Sequence, residues 1–195
     1  MNVYDFDKTI YPRDSATDFF WYCVRRYPAA LLCLPAALGT ALVHLWRPEL
    51  RGKLKEKIYS FLRFVPDPEA AVSAFWDEKL DDVYPWYRER RRDEDLVISA
   101  SPDFLVGEAC RRLGVRFLCT QMDRRTGRLL SPNCRGREKV RRFRAEYAAA
   151  PVEEFYSDSW SDRPMMELAD RGFLVKKGRV ADRLKTAVKG ERVSL

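Results

Sequence analysis

Three short apolar runs punctuate the chain, and each ends in a polar turn: Asn2-Val3-Tyr4 before Asp5, Leu96-Val97-Ile98 before Ser99, and Glu154-Phe155-Tyr156 before Ser157. Runs this short and apolar, closed by a carboxylate or hydroxyl residue, predict buried parallel strands. Val115 to Cys119 and Gly172 to Val175 predict two more. Helical stretches alternate with them. Pro102 to Leu113 opens on proline and stops at Gly114, and Glu138 to Ala149 and Pro164 to Arg171 follow. Strands alternating with helices predict an α/β fold with a doubly wound parallel sheet, in which ligands bind beyond the carboxyl ends of the strands.

The stretch from Asp14 to Arg92 breaks this rhythm. It holds no convincing strand, and Asp14-Ser15 and Asp67-Pro68-Glu69 are helix-start signals. The Arg88 to Arg92 run suits the end of a last helix. The expectation is an α/β core of residues 1–13 and 93–195, with residues 14–92 inserted as an α-helical cap. Within the cap, Ala29 to Trp46 is almost free of charge. Three readings stand: a buried pair of cap helices, an interfacial membrane contact flanked by Arg25-Arg26 and by Arg47, Arg51, Lys53 and Lys55, or a membrane span. Pro35, Gly39 and His44 argue against the span.

Composition narrows the chemistry. Among 195 residues there is one histidine, His44, so no zinc site built on several histidines is available, and a Ser-His-Asp or Cys-His triad would have to run through it. The five cysteines, Cys23, Cys33, Cys110, Cys119 and Cys134, are scattered and form no C-x-x-C pair, so neither a disulfide framework nor a zinc knuckle is indicated. The opening MNVYDFD lacks a charged start followed by an apolar stretch, and a reducing cytoplasm is the expected home. The formal charge of +7 favours an anionic partner. The arginine bursts are not interleaved with aromatics and no nucleic-acid motif is present, so nucleic acid is not expected as that partner.

The candidate chemistry lies at the predicted strand ends. Asp5-Phe6-Asp7-Lys8-Thr9 carries two carboxylates at i and i+2 where the first strand leaves the sheet. Such a pair can divide labour, one oxygen attacking and the other moving protons. A turn with aspartate caps is the plainer alternative. The second strand ends at Ser99, placed to hydrogen-bond a phosphoryl oxygen. Ser101 competes with it, or caps the helix that begins at Pro102. Gly136-Arg137-Glu138-Lys139 sets a lysine in the first turn of a helix, where an ammonium can offset the charge of a phosphate and an attacking carboxylate. Tyr156-Ser157-Asp158-Ser159-Trp160-Ser161-Asp162 ends a strand with two acids: Asp158 suits a hard divalent cation, and Asp162 can orient its waters or Lys139.

These four pieces in this order resemble the motifs of the haloacid dehalogenase superfamily of phosphohydrolases, whose core is Rossmann-like. The resemblance implies that Asp5 is the nucleophile, Asp7 the acid/base and Lys139 the charge-balancing cation. It further implies Mg²⁺ held by the Asp5 carboxylate, the Asp7 carbonyl and Asp158, with Asp162 behind them. The phosphate and substrate contacts expected are Thr9, Ser99 and Ala100, together with Asp14 at the cap hinge, which serves equally well as a helix N-cap. A helical insertion between the first two motifs is similar to the branch that includes phosphoserine phosphatase. The pattern is also similar to phosphatidylglycerophosphatase C-type members, through Asp14, the apolar Tyr27-Pro28-Ala29-Ala30-Leu31-Leu32 segment, Cys134 to Val140 and Tyr156 to Ser159.

Two departures matter. Lys8 stands where many relatives have glycine, and Ser157-Asp158-Ser159 replaces a Gly-Asp-Gly-like turn of the phosphoserine branch. The expected activity is a Mg²⁺-dependent phosphomonoesterase. Its substrate is expected to be amphiphilic or lipid-linked and met at the inner face of a membrane. A small soluble phosphorylated metabolite is the rival, and a non-catalytic binding protein on the same fold the alternative of another class.

Overall fold

A computed structural model describes residues 1–46 and 51–184 of the chain. Six strands form one sheet in the order β3-β2-β1-β4-β5-β6. They are β1 (Asn2–Tyr4), β2 (Leu96–Pro102), β3 (Arg116–Thr120), β4 (Glu154–Ser157), β5 (Arg171–Lys176) and β6 (Arg179–Leu184). The first five are parallel, and β6 runs antiparallel to β5. β1 sits at the centre, with Tyr4 opposite Val97 on one side and Tyr156 on the other. That register brings Asp5, Ser99 and Asp158 out at the same edge of the sheet.

Side chains alternate between two buried clusters, as they must in a strand covered on both faces. Val3, Leu96, Ile98 and Phe155 join one cluster; Tyr4, Val97 and Tyr156 join the other. Three helices of the core follow the expected stretches: α6 (Asp103–Leu113), closed by a left-handed Gly114, then α7 (Arg137–Tyr147) and α8 (Arg163–Leu168). Phe143, Met165 and Met166 from the last two fill one cluster, and Leu105, Val106, Ala109, Cys110 and Leu113 of α6 fill the other.

Among its described residues the insertion forms helices and no strand: α1 (Ser15–Arg26), α2 (Leu34–Trp46), α3 (Arg51–Tyr59), α4 (Pro68–Lys79) and α5 (Pro85–Arg90), with short 3₁₀ turns between some of them. Asp14 and Asp67 cap α1 and α4 as their positions suggested. Phe19, Phe61, Phe75, Trp76 and Tyr87 enter the same buried cluster as Tyr4, Leu105 and Val97. The Trp76 indole N–H donates to Leu105 O at 2.8 Å. Insertion and sheet therefore share one core.

The apolar stretch from Ala29 neither buries wholly nor spans. Ala30, Cys33 and Ala37 point inward at helical spacing, whereas Leu31, Leu32, Leu34 and Leu38 are exposed. Among the described residues no helix is long and apolar enough to cross a membrane. Arg47, part of the expected basic flank, lies outside the described residues.

The β5–β6 hairpin was not anticipated from the sequence. Its turn is Lys177-Gly178, both with positive φ (50° and 75°), the pattern of a two-residue type I′ turn. The strand that follows opens Arg179-Val180-Ala181-Asp182, too polar to read as a buried strand.

Candidate active site

The carboxyl ends of β1, β2 and β4 open into a cavity of about 670 Å³ roofed by α1 and α3. Asp5, the first residue past β1, is buried, and its backbone N–H donates to Tyr156 O at 2.8 Å. Lys139 lies on the first turn of α7 and is 1% exposed. Its ammonium is 2.8 Å from Asp5 Oδ1 and 2.7 Å from Asp162 Oδ2. Ser157 Oγ donates to the same Asp162 oxygen at 2.9 Å, so Asp162 is fixed in the orientation that holds the lysine.

Burial opposes charge on both members of the Asp5–Lys139 pair. For Lys139 the two aspartates outweigh that penalty and raise the ammonium pKa. For Asp5, burial raises the carboxyl pKa, against the pull of Lys139 and with a further push from Asp162 and Asp7. Asp7 is shifted up to about 6, by burial first and then by Asp14. That value puts its proton within reach of transfer near neutral pH, as an acid/base requires.

The Asp7 carboxylate faces the insertion. Its Oδ1 accepts from Ser15 N at 2.7 Å, at the start of α1, and its Oδ2 accepts from Ser101 Oγ. Ser101 therefore does not cap α6, whose N-cap makes no side-chain bond. Ser99 Oγ accepts from Ser101 N at 3.0 Å, which orients the Ser99 hydroxyl at the end of β2. Asp158 lines the cavity beside Asp5, and burial raises its pKa.

Ser99, Ala100 and Asp14 all line the cavity. Asp14 is occupied as the α1 cap, accepting from Thr17 N and Thr17 Oγ1, both at 2.8 Å. Thr9 is placed differently from the expectation. It is fully buried, is not among the cavity-lining residues, and its hydroxyl accepts from Asp158 N at 2.9 Å. A hydroxyl spent on the Asp158 loop positions that loop rather than meeting a phosphate.

Other lining residues are not among the candidates that the sequence singles out: Lys55, Tyr59, Asn133 and Arg135. Lys55 and Tyr59 come from α3, and Lys55 reaches Ala100 O at 2.6 Å and Asn133 Oδ1 at 2.8 Å. In the sequence Lys55 stands in the basic flank of the apolar stretch and Arg135 within the Cys134 to Val140 segment, neither with a role of its own. Nothing local marks such residues, because the contacts join positions 45 and 78 apart in the chain.

A family model described as haloacid dehalogenase-like hydrolase matches residues 3–167. The chain is 31% identical over 198 residues to Protein CicA of Caulobacter vibrioides, covering 92% of this chain and 87% of that protein. Among solved structures, a protein of unknown function from Bordetella pertussis Tohama I superposes with a TM-score of 0.71 at 22% identity, over 89% of this chain and 88% of that one. A phosphoserine phosphohydrolase-like protein from Francisella tularensis subsp. tularensis SCHU S4 gives a TM-score of 0.56 at 14% identity, over 89% and 87% of the two chains. The structural likenesses establish a common fold. The family match spans Asp5, Ser99, Lys139 and Asp158 together, and the chain belongs to the haloacid dehalogenase-like hydrolases.

Proposed function

We propose that this protein hydrolyses a phosphomonoester through a phosphorylated Asp5, with Asp7 as acid and then base. The observation that carries this reading is the division of the two carboxylates. Asp5 is held by Lys139 at the floor of the cavity, while Asp7, two residues on, is turned toward the insertion by Ser15 and Ser101. On this reading an Asp5 oxygen attacks from below, and the proton-carrying Asp7 stands on the side where an alcohol would leave.

In the forward step Asp5 attacks phosphorus, the P–O bond to the alcohol breaks, and Asp7 gives its proton to the departing oxygen. Asp7 then removes a proton from water, which attacks the phosphoaspartate, releases phosphate and regenerates Asp5. Lys139 offsets the negative charge gathering on the Asp5 and phosphoryl oxygens, and the Ser99 hydroxyl with the Ala100 turn offers hydrogen bonds to them.

Mg²⁺ is the metal the family implies, and the residues fit it. Among the described residues no three acidic, histidine or cysteine side chains cluster into a site by themselves. The fitting donor set is two carboxylates, Asp5 and Asp158, plus the Asp7 carbonyl, all hard oxygens, with the remaining positions left to water or substrate. The half-buried Asp158 carboxylate lines the cavity with Asp5 and Asp7, and burial raises its pKa. Bound there, Mg²⁺ would supply charge stabilisation at the transferred phosphoryl group.

The substrate reading is amphiphilic or lipid-linked, as in the phosphatidylglycerophosphatase C-type pattern, with contact at a membrane surface. Its support is the apolar cap: Leu32 and Leu38 are 67% and 64% exposed, and Ile58 and Phe20 line the cavity itself. Metal rescue tests the catalytic reading. Asp158→Ala should lose activity that excess Mg²⁺ partly restores, while Asp7→Ala should lose turnover that no Mg²⁺ concentration restores. Rescue of Asp7→Ala with Asp158→Ala left inert would reverse the roles.

A further inference from the structure

The cavity extends past the phosphoryl end to a wall furnished by α3, and two polar groups there serve no purpose in the chemistry above. Lys55 and Tyr59 are four residues apart on that helix, so they project from one face, one turn apart. Leu54 and Ile58 accompany them, and all four line the cavity.

The Lys55 ammonium sits in a partly desolvated position with two neutral acceptors, Ala100 O at 2.6 Å and Asn133 Oδ1 at 2.8 Å. Among the described residues no carboxylate lies within ion-pair distance of it, and desolvation lowers its pKa to about 8 even though Asp7 and Asp14 act on it from farther off. A cation taken out of water and left with only neutral partners costs free energy that an anion would recover. Tyr59 is 3% exposed, and its buried hydroxyl has no hydrogen-bond partner among the described residues. Tyr59 lines the cavity, and an unpartnered hydroxyl there is a donor that a ligand can take up. The two groups are independent observations that agree on the same wall.

We infer that Lys55 and Tyr59 form a specificity subsite for a second anionic group, carried on the alcohol portion of the phosphomonoester. Lys139 serves the reacting phosphate from the floor, and Lys55 reads the leaving group from the cap. The inference rests on the phosphatase reading. The anion can be a carboxylate on a small acid or a phosphodiester of a lipid headgroup, since both accept from an ammonium and a phenol.

The test compares kcat/KM on three esters: glycerol 3-phosphate, whose alcohol is uncharged, 3-phosphoglycerate, and short-chain phosphatidylglycerol phosphate in micelles. The wild type should prefer one of the two esters with a second anion, and which one it prefers identifies the source. Lys55→Gln should lose about tenfold more kcat/KM on that ester than on glycerol 3-phosphate, chiefly through KM, as expected for one charged hydrogen bond. Lys55→Arg should recover part of the loss. Tyr59→Phe should shift the ratio in the same direction without lowering Tm, because its hydroxyl has no protein partner to lose. Equal losses on all three esters, or a wild type indifferent to the second anion, would overturn the inference; if Lys55→Gln does not fold, the Arg and Phe variants decide it by the same ratio. No turnover of any phosphomonoester by the wild type with Mg²⁺ would instead overturn the phosphatase reading beneath it.

Discussion

Lys8 occupies the turn between the two candidate catalytic carboxylates and the cap, with a positive φ of 57°. A β-carbon in that left-handed conformation costs roughly 1 kcal/mol, which glycine would not pay. Lys8→Gly removes that strain but gives the unfolded chain more freedom, so the net gain expected is about 0.5 kcal/mol, read as a small rise in the urea midpoint at unchanged m. A lower midpoint would show that the lysine side chain holds the turn by a contact worth more than the strain. At this scale the sequence was informative where chemistry sits at strand ends. Asp5, Asp7, Ser99, Ala100, Asp158 and Asp162 lie at or just past the ends of β1, β2 and β4, whereas Asp14 and Lys139 stand at helix starts, and the fold brings all of them around one cavity. Thr9 was misplaced because its motif position says nothing of which way its hydroxyl turns. Ser101 reads in the sequence as a competitor of Ser99 or a cap on α6, and its hydroxyl instead donates to Asp7, a contact across 94 positions that nothing local marks.

Among the elements, α3 owes its placement to the segment between β3 and α7. Leu129 N donates to Glu56 Oε1 at 2.9 Å, Asn133 accepts from Lys55, and Gly127 presses against the backbone of Tyr59. Gly127 has a φ of 72°, and a β-carbon added there would lie 2.5 Å from Tyr59 O. Backbone cannot yield as a side chain tip does. Gly127→Ala should therefore cost about 1–3 kcal/mol. It should also weaken substrate affinity by displacing the face of α3 that lines the cavity, with KM rising more than kcat falls. Unchanged stability and KM together would show that this contact does not position α3. The parallel strands and the helices that follow them were readable from periodicity, and the insertion from its lack of strands. β6 was not, because an edge strand pairs through its backbone and needs no apolar run; the Lys177-Gly178 turn was the one local signal for it.

On the scale of the whole molecule, the insertion and one face of the sheet are a single buried cluster, with Trp76 against Phe6 and Tyr11 at its centre. The exposed leucines at 31, 32, 34 and 38 lie on the outside of that insertion, so they are presented without exposing the core. If they meet a bilayer, the protein should float with anionic liposomes, and Leu32→Ser/Leu38→Ser should abolish flotation while hydrolysis of a soluble ester persists. No flotation of the wild type would leave the leucines as an ordinary surface and favour a soluble substrate. Beneath both outcomes lies the claim that Asp5 carries the phosphoryl group. Rapid acid quench of the protein turning over a labelled phosphomonoester, followed by peptide mapping, tests it directly. The label is expected on Asp5, with none in Asp5→Asn; label on Ser99, Ser101 or a cysteine would contradict that assignment.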